Sequence, residues 1–128
     1  MKSLIFFLIA LVGSEARDLK HLNHCDVCTF SITSLGALPR MGNEFRGEEL
    51  AEGVCAFLDS ETDDDSLGDV CRKVSNEVLS DSTLRSRAEG FVKDKKSMLD
   101  AMYMCKHDLS EKWCDIPDDV LKRARASV

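Results

Sequence analysis

The chain has 128 residues, with 17 Lys and Arg against 23 Asp and Glu, and a formal net charge of −6. That is the length of one domain of modest size. The acidic balance argues against a nucleic-acid partner held through phosphates, and against a cationic peptide that attacks anionic membranes at neutral pH.

The first sixteen residues read as a secretory signal peptide. Lys2 supplies the positive start, Leu4 to Val12 is an unbroken apolar run, and Ser14 and Ala16 are the small residues of a cleavage site. Cleavage after Ala16 leaves residues 17–128 as the mature domain. The apolar run is about half of what a membrane span needs. No later segment is apolar enough to span, so the mature protein is expected to be soluble. The six cysteines, in a secreted chain, read as a disulfide framework whose pairing counting alone does not choose. There is no Asn-x-Ser/Thr sequon.

Strand signals are scarce, and helical periodicity dominates. A first helix is expected from Asn23, a good N-cap, with Cys25, Cys28, Ile32 and Leu35 on one side. Gly36 weakens it and Pro39 ends or kinks it. Cys25-Asp26-Val27-Cys28 either closes on itself as a redox site or sends each thiol to a distant segment. Helical residues three apart hold their Cβ atoms about 5–6 Å apart, whereas a disulfide needs about 3.5–4.5 Å. That favours two thiols presented to a neighbouring element.

Residues 39–47 read as a loop. A second helix is expected over 48–58, with Leu50, Ala51, Val54, Phe57 and Leu58 at helical spacing and Glu48 and Glu49 at its positive end. The acidic stretch 59–66 tempts a calcium-loop reading. It lacks the glycine and the final glutamate at the required positions, having Asp64 and Val70 instead, and reads as a solvated turn. Ser66 is the expected cap of a third helix carrying Leu67, Val70, Cys71, Val74 and Val78. A fourth helix, the longest, is expected from a cap at Asp81 or Ser82 through Cys105, with Gly90 inside it. Cys105 and Cys114 are nine residues apart and fall on opposite faces of a straight helix. The chain must bend between them for both to serve one partner, with His107-Asp108 as the break and Ser110 as the cap of a new turn. A last helix is expected from Asp118 to Ala126, after Pro117.

The cysteine order has a family likeness. Cys-x2-Cys, followed by gaps of 26, 15, 33 and 8 residues before the remaining cysteines, resembles the saposin-like family in its B-type domain, over about residues 23–116. The resemblance implies an all-α, disulfide-stapled bundle of four to five helices with a short C-terminal tail. It also implies the pairs Cys25–Cys114, Cys28–Cys105 and Cys55–Cys71. The first two are nested, as an antiparallel first and last helix requires. The gaps of 15, 33 and 8 are longer than the family usually shows.

The resemblance further implies a secreted, lysosomal or granule-lumen protein that binds or presents lipids or meets a membrane surface, alone or as a homodimer closed around lipid. It is not expected to be an enzyme, to carry a cofactor or to bind nucleic acid. Ile32, Leu35, Val74, Val78, Leu99 and Met102 are the candidate lipid-facing residues, all equally suited to a helical core. Met98, Met102 and Met104 make such a surface adaptable. Lipid binding is expected to strengthen as carboxylates protonate in acid.

Three alternatives stand beside this reading. Membrane permeabilisation of the amoebapore or NK-lysin kind would use the local positive patches of Lys93, Lys95, Lys96, Lys106, Lys112 and the Lys122-Arg123-Arg125 cluster. A thiol–disulfide oxidoreductase would use Cys25 and Cys28, with His24 beside them. A zinc site would use His21, His24, Cys25 and Cys28, but an oxidising compartment favours bridged thiols, so no metal is expected. Trp113 is either an interfacial anchor or packing against the terminal bridge.

Overall fold

The computed structural model describes residues 22–36, 38, 47–62, 64–91 and 94–127. The expected signal peptide (1–16), His21, Lys93, and the Pro39 break with most of its loop lie outside the described residues. Among those described there are six helices and no strand: α1 His24–Leu35, α2 Gly47–Glu61, α3 Asp65–Ser80, α4 Ser82–Glu89, α5 Lys95–His107 and α6 Asp118–Ala126.

Local chemistry sets the boundaries. Asn23 caps α1 with a reciprocal pair of bonds: the Asp26 N–H donates to the Asn23 side chain at 2.8 Å, and the Asn23 N–H donates to the Asp26 carboxylate at 3.1 Å. α2 runs through Glu61, so the acidic stretch is mostly helix. Asp64, not Ser66, caps α3. Its carboxylate accepts the Ser66 N–H at 2.9 Å and the Ser66 hydroxyl at 2.6 Å. Those bonds hold the Asp64 carboxyl below its ordinary value.

The single long fourth helix is two helices, and α3, at 16 residues, is the longest among the described residues. Asp81 ends α3 and caps α4, accepting the Thr83 and Leu84 N–H groups. Gly90 ends α4. Asp94 then starts α5 afresh, accepting the Ser97 N–H at 2.7 Å. Leu84, Ala88, Leu99 and Met102 share one helical phase and concealed this break, whereas α5 buries Ala101 and Met104, on a face turned well away from that phase. α5 stops at His107 with Asp108 as its C-cap, the expected bend. Ser110 caps no helix and instead bonds Glu77. α6 spans the expected residues, with Asp118 and Asp119 in its first turn and Arg123 and Arg125 in its last, matching the helix dipole at both ends.

α1 is the centre of the bundle. It packs against α2, α3, α4 and α5, while α2 packs on α3 and α6 on α5. Gly36, at the end of α1, permits close contact with the end of α4. A Cβ there would sit 2.7 Å from the Phe91 carbonyl oxygen and 3.1 Å from that of Ala88.

Candidate functional site

The six cysteines are all bridged, as Cys25–Cys114, Cys28–Cys105 and Cys55–Cys71. These are the pairs that the resemblance implies. Cys25 and Cys28 are tied to distant partners, which leaves no dithiol for the oxidoreductase alternative. The same bonding removes both thiolates from the zinc reading, and no group of metal-ligating side chains occurs among the described residues.

The bridges divide the bundle into two leaves. Cys28–Cys105 joins α1 to α5, and Cys25–Cys114 joins α1 to the segment after α5. Cys55–Cys71 joins α2 to α3. No bridge passes from the α1–α5–α6 leaf to the α2–α3–α4 leaf. Ion pairs reinforce the division. Arg72 of α3 reaches Glu52 at 3.2 Å and Asp59 at 2.7 Å, both on α2. These carboxylates favour the charged guanidinium and raise its pKa, Asp59 most. In the other leaf, Asp118 of α6 lies 2.6 Å from His107 Nε2 and 3.2 Å from Lys106 Nζ. The His107 contact, then Lys106, holds the Asp118 carboxyl below its ordinary range.

Between the leaves lies the apolar core. Ile32, Leu35, Val74 and Val78 are buried there, with Leu50, Leu58 and Met104. Four of the six candidate lipid-facing residues are therefore core in this conformation, the place their stripes take in a closed bundle. Their helical spacing marked a buried stripe, and nothing in spacing separates a core from a lipid face. Leu99 and Met102 are half-buried, Met102 packing against the core. Opening the leaves into water would cost roughly 1.5–3 kcal/mol for each large apolar side chain uncovered. Acyl chains entering the gap would offset that cost.

Three polar contacts cross the leaf boundary among the described residues. The Ser110 N–H and hydroxyl donate to the two oxygens of the Glu77 carboxylate, at 2.8 and 2.9 Å. His24 Nε2 lies 3.2 Å from Ser66 Oγ. Arg87 Nη2 lies 2.9 Å from Asp108 Oδ2, an ion pair without hydrogen-bond geometry. No sequence signal announced these pairs, whose partners are 21 to 42 residues apart.

The basic cluster of α6 divides. Lys122 and Arg123 are exposed, Arg123 pairing within α6 to Asp119. Arg125 folds back onto α5, where it pairs with Asp100 at 2.9 Å and stacks 4.7 Å from the Tyr103 ring centre. Val120, on the same helix, is 44% exposed and is the one exposed large apolar side chain among the described residues. Trp113 is half-buried against the core, edge-on to His24 at 6.0 Å. Among the described residues no helix is long and apolar enough to cross a membrane. Comparison with protein-family models, with curated proteins and with solved structures finds no match for this chain.

Proposed function

We propose that this chain is a secreted, non-enzymatic protein of saposin-like type that binds or presents lipids by parting its two leaves around acyl chains. The observation that carries the reading is the placement of the bridges. All three lie within leaves, so the core between the leaves can open with no covalent bond broken. Beyond the apolar core itself, only a few polar contacts among the described residues tie the leaves together. The three disulfides fit an oxidising compartment, whether outside the cell or in a lysosomal or granule lumen.

The direct test is extraction of lipid from natively purified protein, read by mass spectrometry, with vesicle co-sedimentation at neutral and mildly acidic pH. The reading expects co-purified lipid and stronger vesicle binding in acid. Protein free of lipid that ignores vesicles at both values would remove it.

A second reading has one observation in its favour. α6 carries exposed Val120 beside exposed Lys122 and Arg123, the composition of a short helix that meets an anionic surface. Dye leakage from anionic vesicles distinguishes permeabilisation from carriage without leakage.

A further inference from the structure

A recess of about 510 Å³ lies where α4, α5 and α6 meet, within the roughly 300–1,000 Å³ typical of small-ligand sites. We infer that this recess binds a phosphate group, carried on a lipid headgroup or on a soluble phosphate ester.

Three cationic side chains line it, one from each helix: Arg87 from α4, Lys96 from α5 and Arg125 from α6. The fold alone brings them together, and it does so in a chain whose net charge is −6. The lining holds one carboxylate, Asp100. That carboxylate is engaged by Arg125, through Nε and Nη2 at 2.9 Å each. With the Tyr103 ring beneath it, the Arg125 guanidinium is fixed in place before any ligand arrives, which lowers the ordering cost of binding. Asp108 stands beside Arg87 at 2.9 Å, and Asp94 lies near Lys96. The cations are thus held rather than bare. The Arg87–Asp108 pair lacks hydrogen-bond geometry, so a phosphate oxygen offers Arg87 a better partner than it has.

Donors that converge from three helices suit a tetrahedral anion better than a planar carboxylate. Arginine forks favour phosphate oxygens in particular. Phe91 and Tyr103 add aromatic wall, suited to the carbon atoms next to the ester. The headgroup source rests on the lipid reading above; the phosphate chemistry does not.

The test is an NMR titration of the disulfide-bonded chain with inorganic phosphate, followed by co-sedimentation with phosphatidylglycerol and phosphatidylcholine vesicles. Phosphate is expected to shift the Tyr103 and Phe91 resonances. Arg87→Gln and Lys96→Gln are each expected to weaken binding roughly tenfold, while Lys122→Gln, outside the recess, leaves it unchanged. No shift on adding phosphate, or equal shifts in the Arg87→Gln/Lys96→Gln double variant, overturns the site. If phosphate binds there but vesicle binding ignores the recess variants, the site stands for soluble phosphate esters and the headgroup source falls. If the double variant binds vesicles fully and phosphate shifts nothing, the recess is refuted while the lipid reading survives.

Discussion

The Glu77 carboxylate, on α3, accepts both the backbone N–H and the hydroxyl of Ser110, in the link between α5 and α6. The two residues are 33 positions apart and sit on different leaves. This contact is the most complete polar tie across the boundary, because one side chain satisfies two donors at once. Glu77→Ala is therefore expected to loosen the leaves while sparing the core. Stability should fall by about 1 kcal/mol, the contribution of a partly exposed hydrogen-bonded pair. The vesicle-bound fraction should rise. Urea unfolding and co-sedimentation check the two effects, and a variant that binds vesicles less well than the parent would count against the tie as a latch.

Gly36→Ala pits two effects against each other. Alanine restricts the unfolded chain and by itself stabilises by roughly 0.4–1 kcal/mol. Here its Cβ would meet the Phe91 carbonyl oxygen at 2.7 Å. That atom is backbone at the end of α4 and cannot swing aside, so overpacking wins, at about 1–3 kcal/mol. Thermal unfolding should show a lower midpoint. An unchanged or higher midpoint would mean that α1 and α4 part easily.

Thr29 offers the opposite sign. Its hydroxyl is buried on α1 with no hydrogen-bond partner among the described residues. Thr29→Val keeps the shape and removes the unmet polar group, and the two residues have similar helix propensity. A gain of about 1 kcal/mol in urea unfolding is expected. A loss of that size would indicate that the hydroxyl has a partner.

Asp118 sets the acid limit of the α6 dock. Its folded pKa lies below the ordinary 3.8, chiefly through His107 and then Lys106. A lowered carboxylate value means that the contribution is full above about pH 3.8 and disappears as pH falls through the folded value. α6 should thus stay docked through mildly acidic pH and loosen only below it. Amide exchange of α6 followed from pH 6 to pH 2 reads this directly. Asp118→Asn should abolish the step, and a step that persists in that variant would have another origin.

Much of the fold was legible because its signals are local. Asn23 marked the start of α1, His107-Asp108 the end of α5, and Asp118 to Ala126 the last helix. The break between α4 and α5 was not legible. Gly90 costs a helix only modestly, and Leu84, Ala88, Leu99 and Met102 keep one helical phase across the gap. Ser66 looked like the cap of α3, but Asp64, two residues earlier, accepts the Ser66 N–H and takes the role. The recess was less legible still. Arg87, Lys96 and Arg125 are scattered along the chain, and Arg125 read as one member of the positive Lys122-Arg123-Arg125 cluster. Only the packing of α6 on α5 turns it inward.

The central claim is that the leaves separate while each stays intact. Pulsed electron resonance between spin labels carried on non-natural amino acids measures this, with one pair at exposed Ala56 and Lys95 and a second at Ala56 and Lys73. The first pair spans α2 and α5; the second lies within the Cys55–Cys71 leaf. On adding phospholipid vesicles, the first distance should lengthen and the second should hold. If lipid binds with neither distance altered, or if both lengthen together, the two-leaf account is wrong.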